Sequence, residues 1–261
     1  MGLKEIFTIT RGTKKVLMIC LMVATAIVVA AFFHYRGLNR SEDPALIKAA
    51  KFVSASEKSS AAGDNTVAFI YLDSAMAVLK TSRGFESSYE PGIIHNNRAG
   101  ILIMQALYYC TNDSSEKKAL LRSAMNYCDS AINIYSRWIA IWGSLDEKEV
   151  RNRLYSGVKP VQATKGSENK ILKRKVNRVL DAVTETPRRL SVAYTNKATV
   201  YRHLLQPDSS LACLNKALSL WEDNHTARSN LSVLTGGKPV KPGILRTLFP
   251  PERIKRNKFD M

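Results

Sequence analysis

The chain has 261 residues, of which 45% are hydrophobic and 23% are charged, a balance typical of a folded protein. Thirteen glycines and nine prolines are too few for a β-rich or low-complexity chain. The net charge of +17 indicates an anionic partner, such as phospholipid, a polyanionic polymer, nucleic acid or an acidic protein.

The N-terminal region predicts a membrane anchor. A short basic head, residues 1–15, precedes Val16–Phe33, an uncharged segment in which Thr25 is the only polar residue. Its length is close to what an untilted helix needs to cross the hydrocarbon core. A cleaved signal peptide is the main alternative, because Ala24-Thr25-Ala26 resembles a cleavage site. The apolar segment continues to Phe33, which favours an uncleaved transmembrane signal anchor over residues 16–33.

Basic residues on the two sides of this segment predict its orientation. Arg11, Lys14 and Lys15 precede it, whereas Arg36 and Arg40 follow it. By the positive-inside rule this bias places the N-terminus in the cytosol. We therefore expect a single-pass membrane protein whose remaining domain is extracytoplasmic, or periplasmic in a bacterium.

Apolar residues at helical spacing predict an all-α domain over residues 41–235. Ser144-x2-Glu147 has the spacing of a capping box and predicts the start of a short helix. Thr186-Pro187 predicts a helix start, since proline is tolerated in a first turn. The predicted helices cover Pro44 to about Ser56, Thr66–Thr81, Ile93–Cys110, Ser115–Trp142, Ser144 to about Tyr155, Ser167–Thr184, a helix from Pro187, and two more after the break at residues 205–208.

One pattern of small and large residues occurs three times without a gap. Small residues at its first and last positions would let two helices approach closely. The three copies are Ala68-x3-Leu72-x2-Ala75, Ala124-x3-Cys128-x2-Ala131 and Ser210-x3-Leu214-x2-Ala217. They do not recur at a fixed period of about 34 residues, so a repeat array would contain insertions or lengthened helices.

The segment from Leu190 to Leu234 resembles a tetratricopeptide repeat (TPR). The motif reads Tyr194-x2-Lys197-Ala198-x2-Tyr201 and then Ser210-x3-Leu214-x2-Ala217. It departs from the family pattern at Lys197, at Leu214 and at Glu222, where the family favours an apolar residue, an aromatic residue and proline. The resemblance implies an α-solenoid, a stack of antiparallel helix pairs, preceded here by one transmembrane helix.

The same resemblance implies a groove that receives a peptide or helix of a protein partner. In this family the groove is lined by the outward face of the first helix of each pair, where asparagine often holds a peptide backbone. A solvated polar face is the alternative interpretation. The residues concerned are Thr195, Asn196, Thr199, Arg202, His203 and Asn230.

A second predicted surface is a basic helix face. It contains Lys170, Lys173, Arg174, Lys175 and Arg178, and its ordinary interpretation is a solvated face. No aromatic residue is interleaved with these cations, which argues against stacking on single-stranded nucleic acid. Anionic lipid or a polyanionic envelope polymer fits the charge better. The tail, residues 236–261, is also basic and contains four prolines.

We find no sequence signature of catalysis, of a metal site or of a cofactor. The four histidines are scattered, and none of the four cysteines is spaced as CxxC. Cys110, Cys128 and Cys213 are expected to be small buried hydrophobes. The sequence therefore predicts a non-enzymatic, membrane-anchored scaffold for protein–protein interaction. The alternative is a basic helical module that binds nucleic acid, a polyanionic polymer or anionic lipid.

Overall fold

A computed structural model describes residues 11–39, 43–82, 85–110, 114–156 and 165–240. Side chains at 11–14, 30–39, 114, 156 and 165–171 are outside this description, as are residues 1–10 of the predicted basic head and 241–261 of the predicted tail. The described residues are all-α, which confirms this part of the predicted fold class. Their helices are α1 (Arg11–Asn39), α2 (Pro44–Ala61), α3 (Asn65–Lys80), α4 (Glu90–Met104), α5 (Ser114–Trp142), α6 (Glu147–Ser156), α7 (Lys165–His203), α8 (Pro207–Leu220) and α9 (His225–Leu234).

The chain divides into two units, residues 1–43 and residues 44–261. The first contains α1, a helix of 29 residues. Its described apolar side chains, from Val16 to Val29, are exposed. Within the described residues, no helix combines the length and apolar character that crossing a membrane requires.

The described residues of the second unit form three helical hairpins: α2 with α3, α4 with α5, and α7 with α8. We call the first helix of each hairpin, and also α9, an A-helix, and the second helix a B-helix. Gly63, at φ 85°, closes the first hairpin in a left-handed conformation that favours glycine. Successive hairpins pack through α3 on α4 and through α5 on α7, while α6 packs against α7.

The three copies of the repeated pattern lie on the three B-helices, and their predicted burial is confirmed. Each of the following is at most 1% exposed: Ala68, Leu72, Ala75, Ala124, Cys128, Ala131, Ser210, Leu214 and Ala217. Small residues permit the close approach that the pattern predicts. In the third hairpin the Ser210 hydroxyl donates to the Ala198 carbonyl at 2.8 Å.

Several predicted helix boundaries are wrong, and two of them have a clear physical reason. Pro187 lies inside α7, which is continuous over 39 residues. The loss of one backbone donor at Pro187 is tolerated where α7 packs on α5, α6 and α8. The short helix α6 begins at Glu147, two positions later than a cap at Ser144 predicts, because Asp146 and Glu149 form the capping box in place of Ser144 and Glu147. The Glu149 N–H donates to Asp146 Oδ1 at 2.7 Å, and the Asp146 N–H donates to Glu149 Oε2 at 2.8 Å.

The cysteines are free thiols in the structure. Cys128 and Cys213 are buried, as predicted, whereas Cys110 is only partly buried. Burial is the main cause that raises the pKa of Cys128 to about 12, so this thiol stays protonated at neutral pH.

Candidate functional site

An asparagine occupies an equivalent position on three successive A-helices. Asn97-Arg98-Ala99 on α4 corresponds to Asn196-Lys197-Ala198 on α7, and both alanines are at most 1% exposed. On α9, Asn230 follows Asn196 by 34 positions, which equals the usual period of a tetratricopeptide array. We call Asn97, Asn196 and Asn230 the asparagine row. Asn97 was not among the predicted groove residues, although a gapless alignment of α4 with α7 would have identified it.

Each member of the asparagine row donates a hydrogen bond to the preceding A-helix. Asn97 Nδ2 donates to Glu57 Oε1 of α2 at 3.4 Å, and Asn196 Nδ2 donates to Asn96 Oδ1 of α4 at 3.0 Å. Asn230 Nδ2 donates to Thr199 Oγ1 of α7 at 3.3 Å. A primary amide has two N–H donors and an oxygen acceptor. The bonds described use one N–H donor of each amide, which leaves hydrogen-bonding capacity for a ligand along the asparagine row.

Ion pairs at equivalent positions also connect successive hairpins. Arg98 of α4 pairs with Asp73 of α3, and Lys197 Nζ of α7 lies 2.6 Å from Asp129 Oδ1 of α5. Lys197 also lies over the Tyr201 ring, 5.6 Å from its centroid. These contacts give Lys197 an acidic and an aromatic partner at a position where the tetratricopeptide pattern has an apolar residue. Although burial acts to lower it, the hydrogen bond and charge of Asp129 raise the pKa of Lys197.

Two of the predicted groove residues belong to an internal network. Thr195 is only 3% exposed, and its hydroxyl donates to the Ser191 carbonyl at 2.9 Å. Asn224, before α9, donates through Nδ2 to Thr195 Oγ1 at 3.0 Å and to Ser191 Oγ at 2.8 Å. Thr199 is partly buried and accepts from Asn230. Thr195 therefore stabilises the packing of α7 on α9 and presents almost no surface.

Arg202 and His203, at the end of α7, are partly buried neighbours. Arg202 Nη2 lies 3.2 Å from His203 Nε2. Burial, the charge of Arg202 and the charge of Lys117 lower the pKa of His203. His203 is therefore neutral at pH 7, and Arg202 contributes the positive charge at this end of the A-helix surface.

The predicted basic face is divided between exposed and paired cations. Lys173 and Lys175 are exposed. Arg178 instead pairs with Glu90 at the start of α4, with 2.8 Å between Nη2 and Oε1. Arg174 is half-buried, and the Lys170 side chain is outside the described part of the chain.

The structure also contains a cavity that was not predicted from the sequence. Its volume is about 600 Å³, and it lies beside the end of α3, the 3₁₀ turn Phe85–Ser87, the first half of α4 and the second half of α5. Lys80, His95, Arg98 and Arg137 line it from three different helices. No sequence motif could reveal this combination, because the residues are far apart along the chain.

In the described part of the chain, no group of three or more His, Cys, Asp or Glu side chains is arranged to hold a metal ion. Comparison with known proteins finds no matching family model, no matching curated protein and no matching solved structure.

Proposed function

We propose that this chain is a membrane-anchored, non-enzymatic scaffold that binds a segment of a protein partner along its A-helices. The helical hairpins form a TPR-like stack of antiparallel pairs, an α-solenoid, preceded by one transmembrane helix. The observation that supports this best is the asparagine row. It places the same amide side chain on three successive A-helices.

The chemistry of the asparagine row suits an extended peptide. The main chain of such a peptide offers one donor and one acceptor at each residue. Amides at regular intervals can pair with these groups without selecting particular side chains. Arg202 adds a cation at the end of α7, where an acidic residue of the partner would be favoured.

The proposed anchor covers residues 16–33. Leu21 and Val28 are 68% and 66% exposed on α1, and an apolar helix surface in water is unfavourable unless lipid or protein covers it. Arg11, Lys14 and Lys15 precede the apolar segment, so the N-terminus is proposed to be cytosolic and the hairpins extracytoplasmic.

The test of the proposed groove uses the full chain with a photo-crosslinking residue at position 203. Crosslinked partners are compared for the unsubstituted chain and for the triple variant Asn97→Ala, Asn196→Ala, Asn230→Ala. The crosslink to a partner that binds through the asparagine row should be lost in the triple variant. The matched control is Asn126→Ala, Asn133→Ala, Asn215→Ala, which changes exposed asparagines on B-helices and should preserve crosslinking. Equal loss in both variants, or crosslinking unchanged in the first, contradicts the proposal.

The anchor has a separate test. We expect the full chain to remain in the membrane pellet after alkaline carbonate extraction, and a variant with Leu21→Asp and Val28→Asp to be released. Charged residues at the middle of an apolar helix cost about 3 kcal/mol each in the bilayer. A full chain that is released by carbonate has no transmembrane anchor.

Binding of a polyanion is the second candidate function, and the exposure of Lys173 and Lys175 supports it. Lys173→Glu with Lys175→Glu should weaken binding to anionic vesicles, and the salt dependence of binding should become shallower. Lys148→Glu with Lys216→Glu makes the same charge change at exposed positions of α6 and α8. If this control weakens binding equally, only net charge matters and the basic face is not a site.

A further inference from the structure

The cavity between the first two hairpins has a one-sided set of charges. Lys80, Arg98 and Arg137 line it together with a single acid, Glu86. Asp73 neutralises Arg98 through their ion pair. Lys80 and Arg137 form no ion pair with any residue that the structure describes. The unpaired charge at the cavity is therefore positive and favours an anion.

Three polar side chains of the same cavity each keep one buried atom without a hydrogen bond to the described protein. These atoms are Ser88 Oγ, His95 Nδ1 and Arg98 Nε. Buried polar atoms are nearly always paired, and leaving one unpaired is unfavourable. These three atoms have almost no accessible surface, so they lie behind the cavity wall and a ligand in the cavity does not reach them. Burial, with the charge of Arg98, lowers the pKa of His95, which keeps this ring neutral.

Apart from Ser87, the rest of the cavity lining is apolar. It includes Met76, Phe85 and Trp138. Trp138 is 4% exposed and packs edge-to-face on Tyr89, with 5.5 Å between the ring centroids, so its indole is held in place. A volume of about 600 Å³ is in the usual range for small-molecule sites. The lining suits a ligand with an apolar body and one acceptor-rich end.

We propose that this cavity binds a small carboxylate with an aromatic or alkyl body. The carboxylate pairs with Arg137 and Lys80, while the body packs against Met76, Phe85 and Trp138. This site is independent of the asparagine row, because the row does not line the cavity. The proposed carboxylate site would therefore stand even if an experiment disproved the scaffold function.

The test follows the indole N–H signals of the full chain labelled with ¹⁵N-tryptophan, with Trp138→Phe used to assign the Trp138 signal. The probe is 4-phenylbutyrate, and its uncharged control is 4-phenylbutyramide. We expect the carboxylate to shift the Trp138 signal saturably and the amide to bind at least about tenfold more weakly, since a charged acceptor makes the stronger hydrogen bonds. An unmoved Trp138 signal at about 10 mM carboxylate, well above a millimolar Kd, overturns the proposal.

Matched charge variants locate the site. Lys80→Gln with Arg137→Gln should weaken phenylbutyrate binding at least about fivefold by removing both unpaired cations. Lys173→Gln with Lys175→Gln removes the same charge from α7 and should leave affinity unchanged. Equal weakening by both variants, or equal affinity for acid and amide, refutes a built carboxylate site. Saturable binding of a blocked acidic peptide without binding of phenylbutyrate would assign the cavity to a protein segment instead.

Discussion

Each of the two junctions between successive hairpins, α3 with α4 and α5 with α7, has an ion pair at equivalent positions. The junctions differ in how the space beside that pair is filled. Arg98 meets Asp73 where α4 packs on α3, and Lys197 meets Asp129 where α7 packs on α5. The open cavity lies beside the first pair. Beside the second pair, an apolar cluster closes the junction.

Equivalent positions account for this difference. His95 on α4 corresponds to Tyr194 on α7, and Pro91 corresponds to Leu190. Leu190 and Tyr194 pack in one cluster with Tyr135, whereas Pro91 and His95 line the cavity. Larger apolar side chains at these two positions turn a junction of this kind into core. Pro91 and His95, which are smaller or more polar, leave room for a ligand.

The largest loss of stability is expected from removing an apolar side chain at the α5–α7 junction, where the apolar cluster fills the space. Leu190→Ala removes a side chain that is 4% exposed and should lower the free energy of unfolding by about 3 kcal/mol, the usual cost of a buried Leu→Ala change. Pro91→Ala at the equivalent position should cost less, because Pro91 already borders a cavity. Urea denaturation of the full chain measures both variants, and equal costs would contradict the difference between the junctions.

A second substitution examines the close packing inside the middle hairpin. The Cβ of Gly92→Ala would meet the buried Tyr135 ring at 2.6 Å, so we expect a loss of about 2 kcal/mol through overpacking. On the same helix, Gly100 has no such neighbour within 4 Å, and Gly100→Ala should increase stability by about 0.5–1 kcal/mol. Thermal unfolding of the two variants should therefore shift in opposite directions.

A third substitution makes the α3–α4 junction, which borders the cavity, more like the filled α5–α7 junction. His95→Tyr introduces the residue found at the equivalent position of α7 and removes the unpaired Nδ1 atom. We expect a gain in unfolding free energy of about 1 kcal/mol from apolar burial, together with loss of phenylbutyrate binding. A stabilised variant that binds the carboxylate as before would show that His95 does not face the ligand.

The smallest effect concerns the ion pair of the second junction. Asp129 is 51% exposed, so replacing it with asparagine should cost no more than about 1 kcal/mol. The raised pKa of Lys197 means that this stabilisation is fully present below the unfolded lysine value, about 10.4. It is lost as the pH rises through the folded pKa. The stability difference between Asp129→Asn and the unsubstituted chain should therefore shrink above about pH 10.

Local sequence patterns predicted the burial of the B-helices because helix packing depends on the spacing of small and large residues. The position of Pro187 was misinterpreted, since proline is more often found at a helix start and only tertiary packing keeps α7 continuous there. The groove prediction included Thr195 because a helical wheel cannot show that Asn224, 29 positions later, covers it. The cavity requires residues from α3, α4 and α5, so no single segment could indicate it.

The distance along the chain between contacting residues has a consequence for the order of folding. Asn224 bonds Ser191 across 33 positions, whereas Lys197 meets Asp129 across 68 positions. Doubling the length of a loop adds about 0.6 kcal/mol to the entropic cost of closing it. We therefore expect α7, α8 and α9 to associate first, and the earlier hairpins to dock onto an already formed α7.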